Sequence, residues 1–241
     1  MKHVDESNSV SLPVEKESFL RKIATIVDDL EASDFVSCFW TTLHQGLSKI
    51  QCNPVSVSEI VCFGLGSICD SKVSQYQLAL LLILANKFQC TVETYDPVFS
   101  KTEREILSDL NLVVPTHNSK GKRTACKGAS IFLLPHCPRE LTNNLLYSNW
   151  AIENLPNCVI IGNSFSHLKL TTPKRLLNSY HYVVQAEEVA TELPITNNYK
   201  FRDIFNDLSL HVFPLHSITN LEANFWNCVE PVYDNESELL A

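Results

Sequence analysis

No two cysteines in this chain are spaced as C-x-x-C, although nine are present, at 38, 52, 62, 69, 90, 126, 137, 158 and 228. The odd count and scattered spacing argue against a disulfide framework, and no spacing matches a structural zinc site. Several sit inside apolar runs, where a free thiol behaves as a small buried hydrophobe, so a reducing compartment is expected. A long apolar run is missing too. The longest, LALLLILA at 78–85, is far too short to span a bilayer. The opening MKHVDESNSV is polar and lacks the apolar segment of a signal peptide, so the expectation is a soluble protein of the cytoplasm, the nucleus or both. Nor is there a basic excess. The net charge is −8, with −4 in residues 1–34, −4 in residues 229–241 and a neutral middle. Such a balance gives no footprint for non-specific nucleic-acid binding. The expected partners are a small-molecule ligand and other proteins, with no direct nucleic acid and no membrane. Internal repeats and low-complexity tracts are also absent.

What is present is an alternating pattern in a chain of 241 residues, 45 % of them hydrophobic, enough for a sizeable core. Residues 1–16 are polar and read as a disordered tail. Phe19, Ile23, Ile26, Val27 and Leu30 recur at helical spacing, as do Phe35, Phe39, Trp40, Leu43 and Leu47 after a cap at Ser33. Residues 17–56 are therefore expected to form two helices packed on a main domain at 57–228. There, short apolar strands at 60–63, 91–95, 112–114, 130–134 and 158–161 alternate with helices near 71–88, 100 onward and 139–149. The helix near 100 opens with the capping-box form, Ser100 with Glu103 three residues on. Tyr182-Val183-Val184 and Leu210 to Phe213 read as two further strands around a short helix at 201–208, and residues 229–241 as an acidic tail. The pattern predicts an α/β fold, a Rossmann-like three-layer sandwich. Its mostly parallel sheet has the order 3-2-1-4-5 plus an edge hairpin, with the two N-terminal helices added.

In such a sheet, ligands bind outside the carboxyl ends of the strands, where strand order reverses. The predicted strands end in Gly64, Gly66 and Ser67; in Asp96 with Phe99; in His136 and Cys137; and in Gly162, Asn163 and Ser164. Glycines after a strand allow close backbone approach, and the next helix N-terminus offers N–H groups to an anion. Only two glycines stand in CFGLGS, so a tight turn without ligand stays open. Asp96 is placed to hold a ribose hydroxyl, or else to cap its own turn. Lys122 and Arg123 would meet a phosphate or carboxylate, or belong to a solvated loop. His136 and Cys137 should point to opposite faces, which separates them as a catalytic pair. The Cys-Pro at 137–138 is also a weak haem-thiolate pattern.

Taken in order, CFGLGS, QLALLL, YDPVF, GKR, LLPHC, NLL, NW and IIGNSF resemble the SRR-like family, named for sensitivity to red light reduced, over roughly residues 57–165. By position, the motif residues are Gly64, Gly66, Ser67 and Gln77; Asp96, Pro97 and Phe99; Gly121, Lys122 and Arg123; Pro135, His136 and Cys137; Asn144, Leu145, Leu146, Asn149 and Trp150; and Gly162, Asn163 and Ser164. Two positions depart from the pattern. Ser119-Lys120 stand where the family has an acidic pair, which argues against a metal or acid–base role for that loop, and Thr142 stands where it has an aromatic. The resemblance implies an intracellular eukaryotic regulator linked to circadian clock input, light signalling and haem biosynthesis, with no settled catalytic activity. Three functions remain open: a regulator with a ligand pocket at the strand ends, an S-adenosylmethionine-dependent methyltransferase, or an interaction module with a vestigial pocket. The candidate ligands are S-adenosylmethionine or another nucleotide-like molecule, with haem ranked below them. No residue is assigned as catalytic or metal-binding.

Overall fold

The computed structural model describes residues 11–50 and 56–233. Helix α1 (Ser11–Glu31) begins inside the stretch read as a polar tail, whose residues 1–10 lie outside the described ones. Helix α2 (Asp34–Leu47) follows, capped as expected by Ser33, whose hydroxyl accepts from the Val36 amide at 3.3 Å. The main domain then runs β1 (Val57–Phe63), α3 (Lys72–Phe88), β2 (Thr91–Tyr95), α4 (Lys101–Asp109), β3 (Ala129–Leu134), α5 (Arg139–Ser148), β4 (Cys158–Asn163), α6 (Phe165–Thr171), α7 (His181–Val189), β5 (Thr191–Pro194), β6 (Leu208–Val212) and α8 (Leu215–Ile218).

One six-stranded sheet has the order β2-β1-β3-β4-β6-β5. The first four strands are parallel; β6 runs antiparallel to β4, and β5 closes the edge as a hairpin with β6. The stretch 112–114, expected as a full strand outside β2, contributes a single parallel bridge between Val113 and Glu93. Its place beside β2 agrees with the expected order. The hairpin differs in detail. Tyr182-Val183-Val184 lies inside α7, where Tyr182, Val183, Ala186 and Val189 are buried at helical spacing. The β-branched pair suggested a strand, but packing decided otherwise. The hairpin's first strand is Thr191–Pro194, and residues 201–207, read as a helix, form turns instead.

Alternation along the strands divides the core in two. Ile60, Cys62, Ile131, Leu133, Val159 and Ile161 face α1–α4. Val61, Phe63, Phe132, Leu134, Cys158 and Ile160 face α5–α8. Helix α3 is apolar nearly all round because α1 packs over the side that would otherwise meet water. Ile23, Leu30, Phe35, Phe39 and Leu43 of the two N-terminal helices are at most 1 % exposed, and Phe35 stacks on Phe205 with centroids 4.4 Å apart. Burying such side chains stabilises by about 1.5–3 kcal/mol each, so these helices are integral to the fold. No helix among the described residues is long and apolar enough to cross a membrane.

Candidate functional site

At the carboxyl end of β1, Gly64 and Gly66 both adopt positive φ, +68° and +74°, a region costly for other residues. Both are also hemmed in. A Cβ on Gly64 would lie 2.4 Å from the Cys137 sulfur, and one on Gly66 2.8 Å from the Ser74 hydroxyl. The turn is thus moulded against the protein's own side chains.

Its donors are already engaged. The Gly66 amide donates to Asp96 Oδ2 at 2.8 Å, and the Val98 amide to Asp96 Oδ1 at 3.0 Å. Asp96 therefore bridges the β1 turn to its own turn after β2. Glu103, 2 % exposed on α4, does the same one step further along. Its Oε1 accepts from the Ser67 hydroxyl at 2.8 Å and the Cys69 amide at 3.0 Å, while Oε2 accepts from the Ser100 amide at 2.8 Å. Burial alone would raise its carboxyl pKa, but these donors together with the Ser100 hydroxyl outweigh it and hold Glu103 below the usual glutamate value. Glu103 was legible in the sequence only as a cap; its second task, filling the anion position at the glycine turn, needed the tertiary contact. Phe99 is buried beside them, its amide bonded to the Asp96 carbonyl at 3.2 Å.

After β3 the adjacent histidine and cysteine part company. His136 is exposed at φ +54°, with Nε2 3.2 Å from the Ile204 carbonyl. Cys137 is buried and its thiol donates to the Phe63 carbonyl at 3.1 Å. Burial pushes this thiol well above its usual pKa, helped by the neighbouring Cys62 and Asp96. An enclosed, protonated thiol that is already hydrogen-bonded does not fit axial ligation of a haem iron, nor a nucleophile's role. The next strand end is tied in by Asn163, whose Nδ2 donates to the Cys137 carbonyl at 2.9 Å. Gly162 pairs with Leu134 on one side and Ser209 on the other, and Ser164 caps α6 by accepting from the His167 amide at 3.0 Å. A carboxylate from the hairpin also reaches α6, since Glu192 accepts from the Ser166 amide at 3.1 Å and the Ser166 hydroxyl at 2.5 Å.

Lys122 and Arg123 lie on the loop beside β1 and β2, where they line a small cavity with Phe63, Glu93 and Tyr95. Arg123 pairs with Glu59 at 2.7 Å and Glu93 at 3.7 Å. Glu59 is buried, yet the side chains of Arg123, Ser130 and Cys126 hold its pKa below the usual value against the opposing effect of burial. Lys122 pairs with Glu230 of the C-terminal segment. Asn149 anchors the same loop, donating to the Arg123 carbonyl and accepting from the Ala125 amide.

The sheet edge thus gathers Gly64, Gly66, Ser67, Asp96, Phe99, His136, Cys137, Gly162, Asn163 and Ser164, while Lys122 and Arg123 are paired with Glu230, Glu59 and Glu93. Between the ends of β3 and β4 a cleft of about 460 Å³ opens, lined by Cys137, Pro138, Arg139, Glu140, Asn163, Leu168, Pro173, Leu176 and Tyr180. Pro138 supplies no capping side chain to α5 there, while Ser71, Ser100 and Ser164 cap α3, α4 and α6. Arg139 reaches across to the Thr172 hydroxyl at 2.9 Å and lies over the Tyr180 ring. Sequence reasoning missed Arg139 and Tyr180: nothing local distinguishes them from surface residues.

The SRR1 domain profile matches residues 30–212. An SRR1-like protein of Drosophila melanogaster is 33 % identical over 230 residues, covering 94 % of this chain and 80 % of the relative. An SRR1-like protein of Mus musculus is 33 % identical over 205 residues, covering 71 % and 82 %. The Arabidopsis thaliana protein named SENSITIVITY TO RED LIGHT REDUCED 1 is 27 % identical over 219 residues, covering 86 % and 79 %.

Proposed function

This chain belongs to the SRR1 domain family, and from that premise we propose that it is a regulatory protein whose output is set by a small anionic ligand held at the carboxyl ends of β3 and β4. The observation that carries this reading is the cleft of about 460 Å³ beside the uncapped first turn of α5 and the Arg139 guanidinium. Its volume is in the range of small-molecule sites. A helix N-terminus and an arginine favour a carboxylate or phosphate group. The Arabidopsis relative is named for red-light sensitivity. The regulatory role proposed is of that kind, an intracellular input to light- and clock-linked signalling, with control of haem biosynthesis as the further branch that the resemblance implies.

The methyltransferase alternative draws less support. A nucleotide cofactor at the first strand end would need Asp96 and the glycine turn free, and both are committed to each other. The same commitment favours the interaction module as second reading. Scanning calorimetry with phosphate- and carboxylate-bearing metabolites, S-adenosylmethionine and haem separates the three. A ligand at a hundred times its Kd stabilises by about 2.7 kcal/mol, which raises Tm by roughly 5–10 °C in a domain of this size. Arg139→Ala should remove the shift. No shift with any compound selects the interaction module.

A further inference from the structure

Arg139 and Glu140 are consecutive in the first turn of α5, and both line the cleft between the ends of β3 and β4. Their charges are opposite, yet among the described residues neither enters an ion pair, with the other or with any third group. One residue steadies both. The Arg139 guanidinium lies over the Tyr180 ring, 5.6 Å from its centroid, and the Tyr180 hydroxyl donates to Glu140 Oε1. Tyr180 is 8 % exposed, so its ring is held by its surroundings. Burial and the adjoining Glu140 carboxylate push its phenol above the usual pKa, which keeps it a donor. Each charge retains capacity for a ligand. Arg139 gives Nη1 to the Thr172 hydroxyl at 2.9 Å, which leaves the rest of its planar fork. Glu140 accepts at Oε1, which leaves Oε2. Leu168, Pro173 and Leu176 supply an apolar wall.

We propose that the ligand of this cleft is an amino acid with an apolar side chain, bound as its zwitterion. Its carboxylate meets Arg139, its ammonium meets Glu140, and its side chain lies against Leu168, Pro173 and Leu176. The inference rests on the cleft reading above and narrows its anion to a carboxylate that carries an ammonium group beside it. Charge count decides among the anions. A phosphate or a dicarboxylate brought to Arg139 would also face the Glu140 carboxylate, and like charges brought together cost affinity. A monocarboxylate would match Arg139 and leave Glu140 unpaired. A zwitterion matches one cation and one anion with charge-assisted hydrogen bonds, the stronger kind. Tyr180 is then a positioning residue. It orders both charged groups before the ligand arrives, so less side-chain freedom is lost on binding.

Isothermal titration calorimetry on the full chain tests this with two matched sets of compounds. One is L-leucine, isocaproate and isoamylamine; the other is L-phenylalanine, hydrocinnamate and phenethylamine. In at least one set the amino acid should bind about tenfold or more tightly than the carboxylate lacking its ammonium or the amine lacking its carboxylate, the loss that follows removal of one charged hydrogen bond. Glu140→Gln should bring the amino acid and its carboxylate to equal affinity, and Arg139→Ala should abolish binding of both. Tyr180→Phe keeps the ring under Arg139 and releases Glu140. It should narrow the preference for the amino acid without weakening the carboxylate, which a loss of stability alone would not do. Equal affinity of amino acid and carboxylate in the parent would overturn this inference and leave the anion cleft standing. A preference that survives in Glu140→Gln, or binding of inorganic phosphate but of neither amino acid, would do the same. Binding of no compound in either set, nor of phosphate, would overturn the cleft reading as well.

Discussion

Replacing Asp96 tests whether its carboxylate serves the fold. The group is 7 % exposed and holds two backbone amides, Gly66 at 2.8 Å and Val98 at 3.0 Å. Hydrogen bonds to a charged acceptor are worth about 1.5–3 kcal/mol each, and a buried donor left unpaired loses that in full. Asp96→Ala strands both amides, so a loss of about 3–5 kcal/mol is expected. Asp96→Asn keeps one oxygen and turns an N–H toward the other amide, so roughly half that loss follows. For a domain of this size each kcal/mol lowers Tm by about 2–4 °C, which places the alanine variant about 6–20 °C below the parent. Urea unfolding followed by tryptophan fluorescence reads the difference directly, with an unchanged m-value showing that the denatured state is unaffected. Both variants unfolding within about 0.5 kcal/mol of the parent, the range of an inert surface change, would refute this reasoning. Asp96 would then be spare for a ribose.

Arg123→Ala leaves the buried Glu59 without its guanidinium; because Arg123 is itself partly exposed, the expected loss is about 2–3 kcal/mol by chemical denaturation, below the range for a fully buried pair. Gly64→Ala combines an unfavourable φ with a Cβ 2.4 Å from the Cys137 sulfur, so a Tm lower by several degrees is expected, and the added substitution Cys137→Ala should recover part of it. Glu59 and Glu103 have folded pKa values below the ordinary 4.5, so their contribution is complete above that pH and is lost as pH falls through the folded values. The urea midpoint should therefore hold from pH 7 to about 5 and decline below about 4.5, less steeply in Glu103→Gln. A midpoint that rises on acidification would contradict the assignment.

Much of the architecture was legible because it rests on local signals. The apolar runs at 60–63, 91–95, 130–134 and 158–161 are strands because each is short, continuous and bounded by turn residues. Ser33 and Ser100 cap helices for reasons contained within four residues. The hairpin was misplaced because Tyr182-Val183-Val184 carries strand propensity, whereas its helical fate depends on Ala186 and Val189 meeting the second core. Arg139 and Tyr180 escaped notice because their cleft is made by segments about forty residues apart in the chain.

The sequence alone determined the order of the β and α units, and therefore which residues arrive at the carboxyl edge of the sheet. Periodicity and turn chemistry act over a few residues and need no distant partner. Only the tertiary structure decided what those residues do there. Asp96 reaches Gly66 across 30 positions, Glu103 reaches Ser67 across 36, and Tyr233 reaches Asn144 across 89. A carboxylate or phenol takes whichever donor the fold brings within hydrogen-bonding distance, and that choice is made by packing.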